Sequence, residues 1–130
     1  ADFAARMASA PRSYDHWPTS LGRAVAFGAD LHTKNPAPCR RRIIDVSGDG
    51  ANNDGVGPEW YRGRGLFDGL TINGLVIRGA DPDPVAYYRE NVIHGPGAFI
   101  EIADSYDDYP RAILRKLLRE LQPPFAALGR

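Results

Sequence analysis

Arg41-Arg42-Ile43-Ile44-Asp45-Val46-Ser47-Gly48-Asp49-Gly50-Ala51-Asn52-Asn53-Asp54-Gly55 is the stretch that decides the fold. Two arginines lead into a short apolar, β-branched run, which breaks at once into a loop dense in Gly, Asp and Asn. β-Branched side chains suit the pleated surface of a sheet, and Asp, Asn and Gly turn the backbone easily. The stretch therefore reads as a buried strand over 42–46 that delivers polar groups to the end of a sheet. In open α/β sheets ligands bind at such strand ends.

The rest of the composition bounds what that strand belongs to. A chain of 130 residues, 43% apolar and 25% charged, is long enough for one domain with its own core. Lys plus Arg and Asp plus Glu both number 16, so no net field favours nucleic acid or an anionic membrane surface, and neither is an expected partner. The single cysteine, Cys39, sits in a Pro-rich loop with no His or Asp at a ligand or triad spacing, and reads as an ordinary thiol. No apolar run approaches the roughly 20 residues of a membrane span. The start has no basic segment followed by an apolar one, and it opens without Met in helix-like sequence, which leads to the expectation of a processed or truncated product.

In chain order, Phe3 and Met7 lie four apart on one face of an opening helix that ends before Pro11. Thr19 or Ser20 caps a second helix, with Leu21, Ala24, Val25, Gly28 and Leu31 as its apolar stripe. After the strand at 42–46, Pro58 opens a short helix weakened by Gly63, Gly65 and Gly69. Residues 70–77 form a second strand, apolar enough to be buried on both faces as parallel strands are. Asp83 and Pro84 start a helix over 85–92, with Val85, Tyr88 and Val92 on one side. A third strand is expected over 98–102. The last helix, over about 108–121, carries Ile113, Leu114, Leu117, Leu118 and Leu121 opposite a solvated basic face, and Pro123-Pro124 stops it. Helices alternating with strands predict an α/β fold with about three parallel strands and flanking helices, fewer strands than a parallel sheet usually has.

Five blocks in order carry a resemblance: Thr19-Ser20-Leu21-Gly22-Arg23-Ala24, the stretch 41–53, Thr71-Ile72-Asn73-Gly74-Leu75, the segment 87–93 and Gly95-Pro96-Gly97-Ala98-Phe99. From residue 3 to 121 the chain resembles a bacterial family of secreted von Willebrand factor A-like proteins of unknown function. The resemblance implies a partial, Rossmann-like von Willebrand A-type fold and a metal-ion-dependent adhesion site for Mg²⁺ or Mn²⁺ at the carboxyl ends of the strands. It places Thr19 on the second metal loop and Asp49 on the third, and it puts the first loop, Asp-x-Ser-x-Ser, upstream of Ala1. It further implies a non-enzymatic, protein-binding, adhesion-type module in the periplasm or outside the cell. Octahedral Mg²⁺ takes about six oxygens, so Thr19 and Asp49 alone predict feeble binding. The strand at 43–46 would keep an unpaired edge, inviting a homo-oligomer.

Plainer readings stand beside these. Asp49 lies in good turn-forming sequence, Thr19 is as well explained as a helix cap, and Asp45 reads as a structural, hydrogen-bonded carboxylate. His16, His32 and His94 are scattered and make no ligand pair; Trp60-Tyr61 and Tyr87-Tyr88 read as packing. A rival from another class comes from Gly48-Asp49-Gly50 with Asn52-Asn53-Asp54, which resembles the magnesium motif of haloacid-dehalogenase-type phosphohydrolases. Such an enzyme needs an Asp-x-Asp nucleophile after a strand and a Lys for the phosphate. Here Asp81-x-Asp83 falls in a Pro-rich loop, and the lysines are Lys34 and Lys116. A third reading is a metal-free half-domain that docks on another chain.

Overall fold

The structure is a computed structural model, and it describes residues 2–11 and 18–122. The elements are α1 (Asp2–Ser9), α2 (Leu21–Lys34), β1 (Ile43–Gly48), α3 (Pro58–Arg62), β2 (Thr71–Ile77), α4 (Val85–Tyr87), β3 (Ile100–Ala103) and α5 (Tyr109–Leu121). α4 runs straight into a π-helical turn, Tyr88–Val92, and a 3₁₀ turn, Tyr106–Asp108, leads into α5. The expected Phe3–Met7 pairing and the stop at Pro123-Pro124 fall on groups outside the described residues.

The three strands form one parallel sheet in the order β1-β2-β3, the α/β arrangement expected of part of a Rossmann-like sheet. β2 holds the centre because it is apolar on both sides, and six of its seven residues are buried. Its alternation sorts the core into two layers. Ile72 and Val76 meet Leu21, Val25 and Ala29 of α2 together with Tyr88 and Val92 of the π turn. Leu75 and Ile77 meet Ala112 of α5 and Ala103 of β3 on the other face. The third strand starts two residues later than expected, because the Phe99 N–H donates to Asn73 Oδ1 (3.1 Å) and leaves the ladder. The helix expected over 85–92 widens at its end, where the Ile93 N–H reaches back five residues to Tyr88 O (3.0 Å).

α5 overturns the expected solvated basic face. Ala112 and Lys116 are its buried residues, and Lys116 is 0% exposed, whereas Leu114, Leu117, Leu118 and Leu121 are 44–77% exposed. The reason lies in the strands. On the face α5 covers, β1 presents Asp45, β2 presents Asn73 and β3 presents Glu101, so the helix meets them with charge. Lys116 Nζ lies 2.5 Å from Asp45 Oδ1 and 2.6 Å from Glu120 Oε1. Asn73 Nδ2 donates to the same Glu120 carboxylate at 2.8 Å, and Arg115 pairs with Glu101 at 2.6 Å. Desolvation holds the Asp45 carboxyl above its ordinary value despite the Lys116 bond. Asp45 is thus the structural, hydrogen-bonded carboxylate that its place in an apolar strand indicated.

A buried ammonium shared by two carboxylates is costly to break from one side, since the orphaned charges stay partly desolvated. Lys116→Met should therefore lower unfolding free energy by about 3 kcal/mol in urea titrations. Leu118→Met, on the exposed face, should change it by less than about 0.5 kcal/mol.

Candidate functional site

The carboxyl ends of the strands gather the loop after β1, the Thr19-Ser20 approach to α2 and the loop between β3 and α5. Short hydrogen bonds tie the first two together. Thr19 O accepts from Asn53 N (2.9 Å) and Asp54 N (3.2 Å), while the Thr19 N–H donates to Asn53 Oδ1 at 2.6 Å. Asn52 Oδ1 accepts from Gly22 N (3.1 Å), and the Asn52 amide donates to Asp54 O and Gly55 O. Ser20 Oγ donates to Asp54 O at 3.1 Å instead of capping its own helix. The Asn-Asn-Asp run is therefore a clamp: its side-chain amides satisfy the free backbone donors of the α2 start. Gly22 is obligatory there, because a Cβ would stand 2.0 Å from Val56 O.

Asp49 projects beyond this clamp and is exposed. Tyr106, from the loop after β3, donates its hydroxyl to Asp49 Oδ2 at 2.6 Å. That hydrogen bond, made to a carboxylate that disfavours phenolate, raises the Tyr106 phenol above its ordinary value. Asp108 fixes the loop carrying Tyr106: its carboxylate accepts from Asp104 N (3.2 Å) and pairs with Arg111 (2.7 Å), which holds it below the usual carboxylate range. Beneath the end of β1 lies Tyr88, 0% exposed, whose hydroxyl has no hydrogen-bond partner among the described residues. A Cβ on Gly48 would lie 2.5 Å from that hydroxyl, so Gly48 is what lets the ring slide under the strand end. Burial, with the Asp49 charge and Tyr87 adding to it, pushes the Tyr88 phenol up to about 12. Ser47, Gly48, Asp49, Ile77, Tyr106 and Tyr109 line a shallow depression of about 390 Å³ at this spot.

The structure thus puts Thr19 and Asp49 on loops at one end of the sheet. Thr19 bonds through its backbone to Asn53 and Asp54, and Asp49 bonds to Tyr106. Among the described residues no group of three or more His, Cys, Asp or Glu side chains converges to hold a metal. Two oxygen donors, one carrying a phenol, fall well short of the six or so that Mg²⁺ takes, so these residues alone do not complete a Mg²⁺ site. His32 Nε2 donates to Ile43 O (3.1 Å), His94 packs on Phe67, and Trp60 lies under Arg64, which accounts for each as packing. His16 lies outside the described residues. A larger cavity, about 780 Å³, opens at the amino ends of the strands beside Arg40, Arg42 and Arg119, away from every one of these loops.

Compared with known families, residues 1–125 match the model of a family described as a protein of unknown function (DUF1194). The chain belongs to that family. Neither a curated protein nor a solved structure matches it. In this family member, sequence alone missed Tyr106 and Tyr88. Tyr106 could have been found as the aromatic residue of the third strand-end loop, Asp104 to Asp108. Tyr88 reads as core from its helical stripe, and nothing local signals where its hydroxyl ends.

Spectrophotometric titration tests the electrostatics. Tyr88 and Tyr106 should ionise after an ordinary phenol of about 10, and Asp49→Asn should bring the Tyr106 step earlier while Tyr88 stays late. An unshifted Tyr106 step in that variant would show that Asp49 is not its partner in solution.

Proposed function

We propose that this chain is a protein-binding, adhesion-type module of von Willebrand A-like character, with the strand-end loops around Asp49 and Thr19 as its contact surface. The observation that carries the reading is the clamp. Asn52, Asn53 and Ser20 lock two loops together and leave the Asp49 carboxylate outside them, exposed at the end of β1. A rigid, preorganised loop pair presenting an exposed carboxylate suits recognition, which gains affinity by avoiding ordering costs. On this reading Asp49 and the Thr19 hydroxyl are two donors of a weak Mg²⁺ site whose other ligands come from water and from a carboxylate of the bound protein. On this reading, which the resemblance to secreted proteins supports, the module works in the periplasm or outside the cell.

The phosphohydrolase reading lacks its parts. Asp83 accepts from Val85 N (3.0 Å) and pairs with Arg78 (2.8 Å) as the start of α4, Lys34 pairs with Asp30, and Lys116 lies under the sheet. No ammonium is left beside Asp49 to hold a phosphate.

Paramagnetic Mn²⁺ titrated into the labelled chain tests the assignment. At millimolar metal the amide signals of Asp49, Gly50, Thr19 and Ser20 should broaden first, and Asp49→Ala should abolish that pattern. Broadening that starts instead at Asp104 to Asp108, or that survives Asp49→Ala, would refute the site.

A further inference from the structure

The depression at the carboxyl ends of the strands sets one carboxylate beside two phenol rings. Asp49 at the end of β1, Tyr106 from the loop after β3 and Tyr109 at the start of α5 line it, with Ser47 beside them and Ile77 of β2 as an apolar wall. Asp49 is exposed and Tyr106 is 65% exposed, while Tyr109 is half-buried. The Tyr106 hydroxyl donates to Asp49 Oδ2 (2.6 Å), yet a carboxylate accepts about four hydrogen bonds in all. These groups are held in place. Asp108 accepts from Asp104 N (3.2 Å) and fastens the loop that carries Tyr106, and Tyr109 stands in the first turn of α5.

Charge around the depression is unbalanced. The cations that β2 and α5 bring to this side already hold carboxylates: Arg78 meets Asp83 (2.8 Å), Arg111 meets Asp108 (2.7 Å) and Arg115 meets Glu101 (2.6 Å). Lys116 lies deeper, fully buried and shared by Asp45 and Glu120. The ion pairs among the described residues include neither Asp49 nor Asp107. A carboxylate brought here directly would meet like charge, whereas a cation would be drawn in. Mg²⁺ takes about six oxygens, more than these side chains supply, but an organic cation asks for less. One carboxylate accepts its N–H groups, aromatic faces hold its charge and an apolar wall takes its stem. A guanidinium fits best, because it is flat, forks two N–H bonds onto one carboxylate and stacks on rings. Arg64 stacks in this way over Trp60 (3.4 Å to the ring centre), and Arg119 over Phe99 (3.8 Å), within this same chain.

We propose that this depression receives an arginine side chain of the partner protein, its guanidinium on the Asp49 carboxylate, its plane against the Tyr106 ring and its methylenes along Ile77. The proposal rests on the reading of the strand-end loops as a contact surface and is independent of metal binding at Asp49. It also differs from the metal-bridged mode in the sign of the residue the partner must supply: basic here, acidic there.

Titrating the isotopically labelled whole chain with arginine blocked at both ends tests it, at constant ionic strength and without divalent metal. Saturable shifts below roughly 0.1 M should centre on the amides of Ser47, Asp49, Tyr106 and Tyr109. Asp49→Asn should weaken binding at least about tenfold, and Tyr106→Leu, which leaves the charge intact, about threefold. Both altered side chains are exposed, so far-UV circular dichroism should be unchanged. Blocked lysine should bind about threefold more weakly, and blocked glutamate should leave those signals in place. Absence of saturable shifts, binding that survives Asp49→Asn or ignores Tyr106→Leu, or equal binding of blocked lysine would each overturn the proposal. The Mn²⁺ titration is read separately. Broadening at Asp49 while arginine leaves the depression unmoved defeats this proposal alone; arginine binding without that broadening upholds it and removes the metal from the contact surface.

Discussion

The rest of the structure depends on the ammonium of Lys116, fully buried between Asp45 and Glu120. An isolated charge in that position would be driven neutral or expelled, because desolvation costs several kcal/mol. Two carboxylates and the Asn73 amide remove that penalty, and in doing so they fix which face of α5 meets the sheet. The helix cannot roll to bury its leucines without stranding Asp45, Asn73 and Glu101 against hydrocarbon. Polar groups in the strands thus set the helix rotation, and the exposed leucine ridge follows from it.

At the other face the constraints are steric. α2 approaches the loop after β1 so closely that only Gly22 fits beneath Val56 O, and Tyr88 fills the space under Gly48. Both glycines serve the same end of the sheet. One lets the Thr19 approach lie against Asn52 and Asn53; the other lets a large ring support the strand end from which Asp49 projects. Core packing, hydrogen-bond clamp and exposed carboxylate thus follow one another from the π turn to the loop surface. There the Asp49 carboxylate is held by the hydroxyl of Tyr106.

Much of this was legible in the sequence, for physical reasons. β2 declared itself by being apolar at both alternating positions, and the turn-rich punctuation around 48–57 and 79–84 located the strand ends. α5 existed where its period placed it, yet its buried face was misjudged. Periodicity reports where apolar residues lie on a helix and says nothing of which face meets a sheet whose own surface is polar. The signal was present in Asp45, Asn73 and Glu101, each on the same side of its strand, but it needed the strand register to be seen. Tyr106 lies 57 residues from Asp49, a separation at which pairing comes from topology and not from local pattern. The clamp of Thr19 by Asn53 is a similar long-range contact, and the order of the blocks foretold only that the two loops belong to one end.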